Sequence, residues 1–235
     1  RVSGGEISVF GQTPENARLA RDFAFVFQDS TLLPWRSAIE NVRLPLEVGS
    51  RAKSASQHSE PNELLALVGL QGRENSLPHE LSGGMRQRVV IATALLAESS
   101  LIIADEPTTA LDVTIQAEIM DLLLELCELN NVGLILITHD LGVISQVTQR
   151  AVVMYAGRVV EAGPIRDIVR DAQHPYTQGL IDALPQQTSP GKRLNQIQGV
   201  MPSLSNIPNG CPFNPRCPIV MDECRTRVPA YTRIG

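Results

Sequence analysis

Two adjacent carboxylates, Asp105 and Glu106, follow the apolar run Leu101-Ile102-Ile103-Ala104. At the end of a buried strand such a pair suits a divalent cation and a water. One hard oxygen donor can hold Mg²⁺, and the other can accept a proton from the water. Upstream, Leu81-Ser82-Gly83-Gly84-Met85 opens a stretch without helix breakers. A glycine-rich helix start favours anions, because the first turn leaves N–H groups unpaired and the helix dipole is positive there. Gln28 follows the apolar run Phe23-Ala24-Phe25-Val26-Phe27, Asp112 closes Ala110-Leu111-Asp112, and His139 follows Leu134-Ile135-Leu136-Ile137. Each residue alone has an ordinary reading: a solvated loop for Asp105-Glu106, a polar loop residue for Gln28, a cap or core histidine for His139. The glycine-rich helix start and the two carboxylates together describe a site for nucleotide phosphates.

The elements that must position these residues alternate between strands and helices. Strands are predicted at Ile7 to Phe10, Phe23 to Phe27, Leu101 to Ala104 and Leu134 to Ile137, and a hairpin joins Ala151–Tyr155 to Arg158–Glu161 through Ala156-Gly157. The run Leu101 to Ala104 reads as a central parallel strand covered on both faces. Gly11 to Arg21 reads as a polar turn region. Helices are predicted at Ala38 to Val48, with Ser37 and Glu40 in capping-box spacing, and from Pro61, Met85 to Ala97, Val113 to Leu129 and Leu141 to Gln146. Ser50 to Ser59 reads as a surface linker or loose helix. The fold class is α/β with a mainly parallel sheet, whose polar chemistry belongs at the carboxyl ends of the strands.

The 235 residues carry a net charge of −5, so no global basic field points to nucleic acid as a partner. The apolar runs are too short for a spanning helix, and the expectation is a soluble, cytosolic chain. Beyond Leu184 prolines interrupt every pattern, and Cys211, Cys217 and Cys224 cluster there, while Cys127 lies within a predicted helix. That spacing suggests metal before disulfides.

The constellation resembles the nucleotide-binding subunit of an ATP-binding cassette (ABC) transporter. The resemblance implies a P-loop NTPase-like ATPase core, here residues 1–170 with a helical signature subdomain at 29–100, followed by an extension at 171–235. It makes Asp105 the Mg²⁺ carboxylate of a Walker B pattern and Glu106 the general base. His139 becomes the switch histidine that senses the γ-phosphate, and Gln28 the residue that reaches Mg²⁺ and the attacking water. Ser82, Gly83 and Gly84 become a signature that contacts ATP held by the opposite subunit, and Asp112 a residue acting across that dimer. HELSGGMRQRVVIATALL, VVMYAGRVVEAG and HPYTQGLIDALP are similar to the dipeptide and oligopeptide importer ATPases. Phe27 to Val68 looks more like the nitrate, sulfonate or taurine importers. Implied partners are a second ATPase subunit, homo- or heteromeric, transmembrane permease subunits and, indirectly, a solute-binding protein, at the cytoplasmic face of the inner membrane. Trp35 is the apolar candidate for that contact.

No GxxxxGKS or GxxxxGKT sequence occurs in the chain, although the family grips the β- and γ-phosphates with that loop. The expectation is a fragment that lost its first strand and phosphate loop. The alternative is a degenerate, non-catalytic subunit that dimerises with an intact ATPase. The resemblance also implies a 4Fe-4S cluster or Zn²⁺ at Cys211, Cys217 and Cys224. Three ligands are one short of a full set, and reduced thiols in a docking tail remain the other reading.

Overall fold

The computed structural model describes residues 6–48, 60–109, 111–184, 196–203 and 205–233. They form two compact units, residues 1–139 and 140–235. The sequence had suggested a junction at 170. The Ser-rich stretch at 50–59 lies outside the described residues.

The first unit contains α1 (Pro14–Leu19), β1 (Phe23–Val26), α2 (Ala38–Val42), α3 (Leu44–Glu47), α4 (Pro61–Leu67), α5 (Gly83–Leu96), β2 (Leu101–Asp105), α6 (Val113–Leu129) and β3 (Gly133–Ile137). The strands form a parallel sheet in the order β1-β2-β3. Helix α5 has no exposed residue, and Val89, Ile91 and Ala92 are inaccessible, so other elements enclose it. Its core is shared with Leu65 of α4, Ile119 and Leu123 of α6, and Val26, Ile102 and Ala104 of the sheet.

The strands alternate as their pleat requires. Val26, Ile102 and Ala104 are fully buried, whereas Phe25, Ile135 and Ile137 on the other face are 44%, 48% and 47% exposed. Within β2, expected to be covered on both faces, Ile102 and Ala104 are fully buried and Leu101 and Ile103 half-buried. On the open side Phe25 and Phe27 stack with ring centroids 5.2 Å apart, and Phe23 meets Phe25 edge-on.

Three local expectations change. Ile7 to Phe10 forms no strand, only an isolated Val9–Gln12 bridge around a tight turn with Phe10 at φ 50° and Gly11 at φ 76°. Among the described residues the run pairs with no longer strand. Gly11 to Arg21 holds α1 rather than a plain turn, with Thr13 capping the Asn16 N–H at 3.2 Å and Pro14 opening the helix. The helix predicted from Ala38 to Val48 breaks at Arg43, because Pro45 cannot donate a backbone hydrogen bond and crowds the preceding turn. Its capping box is present as expected.

The second unit contains α7 (Leu141–Val147), β4 (Arg150–Tyr155), β5 (Arg158–Pro164), α8 (Ile165–Arg170), α9 (Pro175–Asp182) and α10 (Asp222–Thr226). β4 and β5 form the expected hairpin, with Ala156 and Gly157 at positive φ in its turn. The proline-rich tail gains its order from packing. Phe213 is buried against Tyr155 and Tyr176, with centroids 5.2 and 5.5 Å away. Arg216 donates to the Gln198 and Ile197 carbonyls at 2.8 and 3.1 Å. Gly210, at φ 74°, lets the chain close on itself, since a Cβ there would lie 2.3 Å from the Cys224 carbonyl oxygen.

His174 caps α9 by accepting from the Tyr176 N–H at 3.1 Å through Nδ1. Burial lowers its pKa below the ordinary 6.5, against the pull of Glu161. A lowered folded-state pKa gives a contribution that is present above 6.5 and lost as pH falls through the folded value. Thermal unfolding monitored between pH 8 and 5 should therefore show stability declining on the acid side. His174→Asn, a cap without a titratable ring, should flatten that decline.

Candidate functional site

The parallel register brings the functional residues to one edge. β1, β2 and β3 end side by side, with Val26 paired to Ala104 and Asp105 to Ile137. Asp105 ends β2, Glu106 follows it, and Gln28 and His139 lie two residues beyond β1 and β3, so their arrival at the same end is a consequence of topology. Asp105 and Gln28 are exposed.

Glu106 is held most closely. Its N–H donates to the Ile137 carbonyl at 2.8 Å, tying it to β3, and its φ of 46° lies in the left-handed region that costs a residue with a Cβ. Its Oε1 lies 3.0 Å from His139 Nδ1, and its Oε2 accepts from the Thr109 hydroxyl at 2.9 Å. These hydrogen bonds, His139 first and Thr109 second, hold the carboxyl below the usual carboxylate range. The His139 side chain is 76% exposed and that of Glu106 31%, so the imidazole can leave the carboxylate without disrupting a core. Asp105, Glu106 and Gln28 together offer hard oxygen donors at a solvent-facing strand edge, a donor set that fits Mg²⁺ arriving with a nucleotide.

The glycine turn forms a second group. Ser82 caps α5, its Oγ accepting from the Met85 N–H at 3.2 Å, and Asp112 caps α6 by accepting from the Ile115 N–H at 3.0 Å. A Cβ on Gly83 would stand 3.0 Å from Leu111 Cδ2, and one on Gly84 only 2.6 Å from Ile115 Cγ2. These glycines therefore permit α5 to abut the start of α6. Among the described residues no hydrogen bond joins this group to Glu106 or His139.

Gln87 had no role assigned from sequence. It is 3% exposed, and its Nε2 donates to the Phe27 carbonyl at 3.0 Å, so α5 holds the backbone next to Gln28.

Of the two readings open for the C-terminal cysteines, the metal site is the one that finds no support. Among the described residues no group of three His, Cys, Asp or Glu side chains is arranged to hold a metal ion, so Cys211, Cys217 and Cys224 are not drawn up as a ligand set. All three are partly exposed free thiols. Cys127 is a buried one, and burial raises its pKa to about 11.

Comparisons with known proteins address the whole chain. Residues 1–109 match the family model for "ABC transporter", and residues 160–224 that for "Oligopeptide/dipeptide transporter, C-terminal region". The dipeptide transport ATP-binding protein DppD of Haemophilus influenzae is 44% identical across 92% of this chain and 67% of its own length. The oligopeptide transport ATP-binding protein AppD of Bacillus subtilis is 43% identical across 98% of this chain and 67% of its own. The chain belongs to the ABC transporter ATP-binding proteins. Its fold is similar to that of a solved ATP-binding cassette, a dimer in a post-hydrolysis state bound to ADP and Pi. The TM-score is 0.59 at 32% identity, over 70% of this chain and 75% of that one. Among the described residues of this ABC ATPase no helix is long and apolar enough to cross a membrane.

Two outcomes follow from this geometry. Gly84→Ala should destabilise the ABC fold by about 1–3 kcal/mol, because the overlap with Ile115 outweighs the helix propensity gained. Chemical denaturation of the single and double variants with Ile115→Ala should give a favourable coupling between the two sites. Maleimide labelling of the native protein should modify Cys211, Cys217 and Cys224 and spare Cys127 until the chain is unfolded. Protection of the first three, reversed by a chelator, would instead reveal a bound metal.

Proposed function

We propose that this chain powers the import of di- and oligopeptides by hydrolysing ATP at the edge formed by β1, β2 and β3. The observation that carries the reading is the pairing of Glu106 with His139, at the carboxyl end of adjacent parallel strands and directly after Asp105. The peptide assignment rests on the C-terminal region and on the names of the relatives.

In this mechanism Asp105, with Gln28, would hold Mg²⁺, which neutralises phosphate charge when bound with ATP. Glu106 accepts a proton from the attacking water. His139 turns from the carboxylate to the γ-phosphate. The Ser82 hydroxyl accepts from its own helix and keeps its hydrogen for a phosphate oxygen, beside the N–H groups of Gly83 and Gly84. That phosphate belongs to nucleotide bound on a second ATPase subunit, and Asp112 acts across the same dimer. The complex sits at the cytoplasmic face of the membrane against two permease subunits fed by a solute-binding protein. Trp35, 73% exposed, is the contact candidate.

Glu106→Gln keeps the shape of the side chain and removes its basicity. In the subunit carrying a phosphate loop it should lower ATP turnover by about a hundredfold or more while leaving ATP binding intact. Unchanged turnover in a coupled phosphate-release assay would remove Glu106 from its role.

A further inference from the structure

Glu106 is gripped through both carboxylate oxygens by side chains from different directions. His139 arrives from the end of β3 and takes Oε1, while Thr109 arrives from the turn after β2 and takes Oε2. The turn makes the second contact possible. The Thr109 N–H donates to the Glu106 carbonyl at 3.2 Å, folding the chain back over Pro107 and Thr108 so that the Thr109 hydroxyl faces the carboxylate three residues earlier. Both intervening residues are buried, Thr108 at 7% exposure, and the Leu111 N–H donates to the Thr108 carbonyl at 3.2 Å, so the turn is anchored on each side. Threonine is stiff at χ1, which makes its hydroxyl a fixed donor.

The two grips are unequal in permanence. The His139 side chain is largely in solvent, whereas Thr109 is half-buried in its turn. When the imidazole departs to a phosphate, Oε1 loses its partner and Oε2 keeps one. We propose that Thr109 is a positioning residue for ATP hydrolysis, holding Glu106 by Oε2 so that Oε1, the oxygen vacated by His139, is the atom that receives the water proton. The inference rests on the functional reading above. In the step, the water O–H proton passes to Oε1 and the water oxygen forms the new bond to the γ-phosphorus. The bond from that phosphorus to the bridging oxygen breaks, and its electron pair leaves with ADP.

A proton acceptor must lie within hydrogen-bond reach of its proton, and a misplacement of about 1 Å costs on the order of a hundredfold. In the ATPase subunit carrying its phosphate loop, Thr109→Val keeps the branched shape and removes the hydroxyl. It should lower kcat by about ten- to a hundredfold with the KM for ATP within about twofold. ATP-driven dimerisation in size-exclusion chromatography should persist, a readout independent of turnover. Thr109→Ser, which restores the hydroxyl, should recover kcat to within about threefold of the parent, and Thr109→Ala should fall with the valine variant. Wild-type kcat in Thr109→Val, or a serine variant as slow as the valine one, would overturn the inference. Glu106→Gln in the same assay separates the two levels. If it is inactive while Thr109→Val is active, only the role of Thr109 falls; if it is active, the assignment of the base falls too.

Discussion

The enclosure of α5 is the constraint on which the rest of the first unit depends. None of its residues is exposed, and α2, α4, α6 and the sheet close around it. Packing that tight dictates what its first turn can be. Gly83 and Gly84 face Leu111 and Ile115 across a gap with no room for a Cβ, and Gln87 spends its amide on the Phe27 carbonyl. The helix that presents the signature residues thus also fixes the start of α6 and the backbone beside Gln28.

The strand edge obeys a different logic. Gln28, Asp105, Glu106 and His139 meet because parallel strands deliver their following residues to the same side, as open α/β sheets generally do. What topology leaves open is which groups touch. The left-handed backbone at Glu106 is compensated by its hydrogen bond to Ile137 and by the turn to Thr109, so local strain is concentrated where the carboxylate must be aimed. The second unit is organised by aromatic burial instead. Tyr155, Tyr176 and Phe213 give a proline-rich segment the core that its sequence lacks locally.

The candidate site was legible because its residues lie in short motifs, with Gln28, Asp105, Glu106 and His139 at the ends of apolar runs. Local signals also gave the cap at Ser37 and the hairpin turn at Ala156-Gly157. Pro14 after Thr13 carried the signal for α1 and was outweighed by the polar composition around it. Pro45 likewise announced the break at Arg43 within a segment whose capping box argued for a longer helix. Ile7 to Phe10 had strand composition, but a strand exists only through its partner, and no periodicity reports that partner.

Sequence by itself determined the α/β class, the core strands and long helices, the family and the residues that gather at the strand ends. These depend on chain-local quantities: hydrophobic period, capping residues and motif spacing. Tertiary structure alone decided that Glu106 is held through two oxygens by His139 and Thr109, that Gly84 is required by Ile115, that Gln87 reaches Phe27, and that the three C-terminal cysteines do not converge as a ligand set. Most of these contacts join residues distant in the chain, and Thr109 reaches Glu106 only through a turn set by β2. Their distances follow from how helices and strands pack in space, which no local pattern encodes.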